Sequence, residues 1–198
     1  MALTDAQIER YSRQIIVPHL GGRGQERLLA AKIVIGGDAR DIEAPLGYMV
    51  GAGVGTIGVR LAGDHNVFDQ TIAAMRQLNS DVSVRIADKS FASIDLALAF
   101  VSSDATRKIA EEIVSDARAS VIARLDAPGK IAVVPDVHDP RVADASMLKK
   151  FGTRADAADF IAMLATAEAF KLVAGYSENQ SRAIIEFDGY VTRSRVFA

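Results

Sequence analysis

The chain has 198 residues, 49% of them hydrophobic and 24% charged, which fits one or at most two domains of ordinary globular composition with a sizeable core. Its formal net charge is −2, so no overall attraction for nucleic acid or an anionic membrane is expected. It contains no cysteine, which excludes disulfides, thiolate metal sites, a thiol nucleophile and any thioester carried on this subunit.

Thr4 and Gln7 form a capping-box pattern, and Ile8, Tyr11 and Ile15 recur at helical spacing. Together they predict an amphipathic helix over 5–16, ended by Pro18 and the Gly21-Gly22 pair. A buried strand at 32–35, a helix at 41–51 and a strand at 56–61 make one right-handed βαβ unit. The alternation continues with a helix over 68–78, strands at 82–87 and 96–102, a helix over 106–119 and a strand at 121–125. Strands alternating with helices predict an α/β, doubly wound, mainly parallel sheet.

Pro128-Gly129 turns the chain into a strand at 130–134, and PDVHDPRVAD is read as an irregular loop. Phe160, Met163, Ala167, Phe170 and Ala174 share one face of a predicted helix over 155–175, roughly 30 Å long, and that face is expected to be the buried one. Strands at 183–187 and 190–196 flank Asp188-Gly189 as a closing antiparallel hairpin. No charged-then-apolar leader opens the chain, and no apolar run reaches the roughly 18 residues of a membrane span. The expectation is a cytoplasmic protein with neither membrane nor nucleic acid as partner.

The turn after the first strand reads Gly36, Gly37, Asp38, Ala39, Arg40, Asp41. A phosphate site there would use glycines for close approach and the N–H groups at the helix start for charge, which makes Gly36 and Gly37 candidate cofactor contacts. Asp38 and Asp41 bring negative charge to the same place. Two unit charges 4 Å apart repel by about 1 kcal/mol in water and about 4 kcal/mol at an effective dielectric near 20. Arg40 offsets part of that, and the plain reading of the aspartates is helix capping.

Asp136, His138, Asp139 and Asp144 match the spacing of no defined metal loop, so no metal site is assigned. Glu168 and Lys171 read as a helix-face pair. Ser102 and Ser103 have no neighbouring base to activate them and read as caps for the helix that follows. His19 and His65 stand alone.

The stretch YSRQIIVPHLGGRGQERLLAAKIVIGG leads into GYMVGAGVGTIGV. It resembles the opening of the MoeB/ThiF family of adenylyltransferases, which includes the catalytic domain of ubiquitin-activating enzymes. QLNSDVSVRI, AMLATAEAFKLVAGY and IIEFDGY resemble later family segments in the same order. The resemblance implies one Rossmann-like domain over 1–198, with a helical dimerisation segment at 1–30, a core at 31–127 and closing strands and helix at 128–198. It implies that Arg13, with Arg10 beside it on the opening helix, reaches the nucleotide site of a partner protomer. Through VSSDATR it places Asp104 at the magnesium-linked aspartate and Arg107 at the arginine that follows.

Departures from the family pattern are concentrated at its chemistry. The glycine-rich loop is replaced by GGDARD, and the acidic pair that ends the second strand falls on Leu61 and Gly63, with Asp64 one residue late. The arginine-bearing segment and the lysine downstream have no counterpart. The crossover cysteine and the zinc-holding CxxC pairs are absent too, so no zinc is expected.

The expected function is therefore a degenerate family member that lacks independent adenylation. It would serve as a structural or regulatory subunit of a homodimer, or of a heterodimer with an intact family member. One alternative is an active ATP-dependent adenylyltransferase for the C-terminus of a ubiquitin-like or sulfur-carrier protein, with Asp104 helping to hold Mg²⁺ and Arg13 the phosphates. Another is a module that binds a small anionic ligand through Arg40 and Arg60.

Overall fold

A computed structural model describes residues 2–63, 68–88, 90–125, 130–134, 158–176, 182–187 and 192–197. The elements are α1 (Asp5–Arg10), α2 (Ser12–Ile15), α3 (Gly21–Ala30), β1 (Lys32–Gly37), α4 (Ala39–Ala52), β2 (Thr56–Leu61), α5 (Asp69–Leu78), β3 (Ser83–Ile86) and β4 (Ile94–Val101). They continue as α6 (Asp104–Ser115), β5 (Ala117–Arg124), β6 (Lys130–Val134), α7 (Ala158–Ala174), β7 (Arg182–Phe187) and β8 (Thr192–Phe197). All eight strands join one sheet in the order β3-β2-β1-β4-β5-β6-β7-β8.

The first five strands pair parallel and the last three antiparallel, giving the expected Rossmann-like α/β sheet. Parallel strands buried on both faces need continuous apolar runs, and KIVIGG and IDLALAFV supply them. Ile33, Ile35, Leu96, Leu98 and Phe100 meet α4, α5 and α7 on one face. Val34, Ala97, Ala99 and Val101 meet α6 on the other. Strand order reverses between β1 and β4, which opens the ligand crevice of such sheets at their carboxyl ends. Among the described residues no helix is long and apolar enough to cross a membrane.

Among the described residues the β3 to β4 connection carries no helix, and Phe91 covers the sheet. Its ring lies where a Cβ on Gly58 would be, 2.8 Å away, so glycine at that position is what lets the loop lie flat on β2.

Four expectations are corrected. The opening helix breaks at Tyr11, whose side chain is buried. Gly21-Gly22 begins a helix, α3, instead of only ending one, with Gly21 at φ 58° making the turn. The helix expected over 106–119 stops at Ser115, and the alternating ARAS that follows enters β5. On α7 the buried side is Ile161, Ala162, Ala165, Thr166 and Ala169, because small residues let the helix approach α4 and the sheet closely; of the five expected positions only Ala174 is buried. The readings made for Asp64, His65, Pro128-Gly129, the 135–144 loop and the Asp188-Gly189 turn lie outside the described residues.

Candidate functional site

At the carboxyl end of the sheet, the turn from β1 to α4 is held from both sides. Ala62 N–H, just past β2, donates to the Gly37 carbonyl at 3.1 Å. Across the reversal point, the Ser102 hydroxyl donates to Asp38 Oδ2 at 2.9 Å. Asp38 holds the N-cap position of α4, with extended backbone, yet its carboxylate makes no capping bond. This corrects the capping expectation for Asp38: its oxygen is turned to Ser102, where it ties the two loops that border the crevice.

Asp41 lies in the first turn of α4. Burial pushes its carboxyl above the ordinary range, and Asp38 and Asp159 push the same way, while the Ser102 hydroxyl and Arg40 pull it down. Its Oδ2 is secluded from solvent and has no hydrogen-bond partner among the described residues. Ser103 caps α6 as expected: its hydroxyl accepts from Thr106 N–H at 3.3 Å, and Thr106 Oγ1 accepts from Ser103 N–H at 2.8 Å. That reciprocal box engages the N–H groups of Ser103 and Thr106 that would otherwise face the crevice.

Gly36 and Gly37 are the last residues of β1, not part of a loop. A Cβ on Gly36 would lie 2.7 Å from Ile113 Cδ1, and one on Gly37 would lie 3.0 Å from Ile42 Cγ2 and 3.1 Å from the Phe100 carbonyl. Both glycines are therefore accounted for by packing. Arg60 donates to the Ala87 carbonyl at 2.6 Å and pairs with Glu112 at 3.3 Å, which offsets its charge on the α6 face of the sheet. Arg40 is exposed. Asp104 is the first residue of α6, almost wholly exposed and 3.6 Å from Arg107 Nε. Arg13 is exposed on α2. Among the described residues no bond joins Arg13, Arg40, Arg60 and Asp104 into one centre.

Magnesium nucleotide is a poor match for this turn. A polyphosphate needs free N–H groups and positive charge. Here a carboxylate occupies the N-cap, a second lies in the first turn, and the facing Ser102 hydroxyl is engaged by these carboxylates. Among the described residues no cluster of three or more metal-ligating side chains exists.

A second feature lies away from the crevice. An apolar groove of about 750 Å³ runs between α4 and α7, with walls that include Val17, Tyr48, Gly51, Leu78, Met163 and Phe170. Tyr48 is 65% exposed and Leu78 55%, while Ile16, beside Val17, is 78% exposed. An exposed apolar groove of this kind is a candidate interaction surface. The residues expected to bury α7, Met163, Ala167 and Phe170, line this groove instead.

No family model matches the chain. It is 38% identical over 101 residues to the adenylyltransferase and sulfurtransferase MOCS3 of Bos taurus, covering 41% of this chain and 22% of that protein. It is 47% identical over 60 residues to the sulfur carrier protein adenylyltransferase of Thermus thermophilus, covering 30% and 22%. The probable adenylyltransferase/sulfurtransferase MoeZ of Mycobacterium tuberculosis matches at 44% over 71 residues, covering 35% and 17%. In these segments the chain is similar to MoeB/ThiF-type adenylyltransferases. The match thus spans about a fifth of the length of these relatives. Among solved structures, MccB of E. coli superimposes with TM-score 0.66 at 15% identity, covering 94% of this chain and 71% of that one. PaaA does so at 0.64 and 17%, covering 98% and 75%. At such identities these likenesses establish the fold.

Within the MoeB/ThiF-like frame, sequence reasoning missed three features. The Ser102–Asp38 bond joins residues 64 positions apart, and no local pattern announces it. Arg124 is 7% exposed at the end of β5 and engaged; a charged residue closing the apolar run SVIAR was the available signal. The groove was hidden because its α7 wall carried the very residues whose spacing resembles a core stripe.

Proposed function

We propose that this MoeB/ThiF-like chain has lost independent adenylation and serves, in the cytoplasm, as a structural or regulatory subunit of a dimer formed with a second copy or an intact family member. The observation that carries this reading is the β1 to α4 turn, where Asp38 and Asp41 bring carboxylates to the place a phosphate would need and Ser102 ties Asp38 across the crevice. The apolar groove supports the second half of the reading: it offers a partner surface built from α4, α7 and the opening segment. Arg13 stands beside Gln14, a groove residue, and on this reading reaches into the partner's nucleotide site. A ubiquitin-like or sulfur-carrier protein would then be the substrate of the partner's centre.

Pyrophosphate exchange with the purified chain, Mg-ATP and a sulfur-carrier protein tests the reading, alongside sedimentation of the chain alone and mixed with an intact family member. We expect no exchange by the chain alone and a dimer in one of the two sedimentation samples. Exchange by the chain alone would establish the active-enzyme alternative. With an intact partner, Arg13→Ala is expected to lower the partner's activity without dissociating the pair.

A further inference from the structure

Tyr11 and Arg10 tie the opening segment to the turn between α5 and β3. Tyr11 separates α1 from α2 and is 1% exposed. Its ring lies over Gly53, the left-handed residue that ends α4 at φ 83°, where an added Cβ would come within 2.6 Å of the ring. The Tyr11 hydroxyl accepts from Asn79 Nδ2 at 2.9 Å and donates to Asp81 Oδ2 at 3.1 Å. Asn79 Nδ2 also donates to the Val50 carbonyl in the last turn of α4, at 2.8 Å. Asp81 Oδ2 also pairs with Arg10 Nε at 3.3 Å. One buried hydroxyl therefore joins the end of α1, the end of α4 and the turn between α5 and β3.

This junction borders the groove on each side. Gln14 and Val17 follow Tyr11 in the chain, Gly51 and Ala52 precede Gly53, and Leu78 precedes Asn79, and all five line the groove. Burying the ring holds the segment against the body without fixing its angle, since apolar burial is non-directional. The two hydrogen bonds are directional and supply the angle.

We infer that Tyr11 is a positioning residue for the partner-binding face: its hydroxyl network sets where α2 stands relative to α4 and α5, and so fixes the width of the groove between them. The inference rests on the reading of the groove as the partner surface. It goes beyond that reading by naming the contact that preforms the surface. A preformed face loses less freedom on association and binds more tightly for the same contacts.

The test compares wild type, Tyr11→Phe, Asp81→Ala and Asp81→Asn. Hydrogen exchange over residues 12–17 is measured at a dilution that leaves the chain monomeric, with the amides of α4 as internal control. Tyr11→Phe keeps the ring and removes both bonds, so exchange over 12–17 is expected to rise while α4 stays protected. Asp81→Ala removes one of the two bonds and the Arg10 pair, and exchange over 12–17 should rise there too. Asp81→Asn keeps an oxygen that accepts from the Tyr11 hydroxyl, so it should remain near wild type, which a purely electrostatic role for Asp81 would not allow.

At higher concentration the dissociation constant of the dimer is expected to rise about five- to hundredfold in Tyr11→Phe, the range for two lost hydrogen bonds. Unchanged exchange over 12–17 in Tyr11→Phe, or Asp81→Asn as damaging as Asp81→Ala, would overturn the inference. If wild type and its mixtures with intact family members form no dimer, the subunit reading fails, and the monomer exchange data still decide whether Tyr11 sets the angle of α2.

Discussion

The two ends of α4 teach opposite lessons. Its N-terminus lies at the crevice of the sheet, where the protein's own side chains meet: Asp38 bonds to Ser102, Asp41 is partly buried, and Ile113 and Phe100 pack over the glycines of β1. Its C-terminal half faces the groove, where Tyr48 and Leu78 stand exposed among the described residues. In the parent fold the crevice is the place for ligand. In this chain Asp38 and Ser102 are bonded to each other at the crevice, and the apolar groove lies elsewhere.

The strongest way to break that contrast is to charge the groove. Tyr48→Glu would bury an unpaired carboxylate in any complex formed there, a change that costs about 3–5 kcal/mol. We therefore expect the dimer dissociation constant to rise more than about hundredfold in sedimentation equilibrium, with an unchanged melting temperature for the monomer. A smaller effect is expected at the junction that bounds the groove. Gly53→Ala places a methyl against the Tyr11 ring at a positive φ, a strain of about 1–3 kcal/mol that denaturant melts would register as lost stability.

The crevice end should respond more weakly, because its groups are closer to water. Ser102→Ala removes the bond to Asp38 and is expected to cost about 0.5–1.5 kcal/mol in chemical denaturation. Asp41→Asn sharpens the same point with the opposite sign. The folded carboxyl holds its proton to higher pH than the unfolded one, so the unfolded state binds fewer protons as pH rises between the two values. Stability then falls across that window and stays lower above it. The asparagine variant should melt above wild type at pH 7 and lose that advantage below the unfolded carboxylate value, a gain of less than about 1 kcal/mol after solvent screening.

Much of the fold was legible. The apolar runs and turn residues place β2 at 56–61 and β6 at 130–134 as observed, because a strand between clear breakers has little freedom in its limits. The glycines misled in both directions. Gly36 and Gly37 look like a turn yet extend β1, since Ile109 and Ile113 on one face and Ile42 and Phe100 on the other leave no room for a larger residue. Gly21-Gly22 looks like a terminator yet opens α3. On α7, spacing alone picked the side with the large residues, and packing chose the side with the small ones. Of the candidate site, the charged turn after β1 could be read directly, whereas the Ser102 partner of Asp38 arrives only when β4 is laid beside β1.

The central claim is that the turn between β1 and α4 no longer receives a nucleotide. Calorimetric titration of the purified chain with Mg-ATP at moderate salt tests it most directly. The account predicts no binding heat at micromolar to submillimolar nucleotide. Micromolar binding that Asp104→Ala abolishes would contradict it and place an active nucleotide site in this chain.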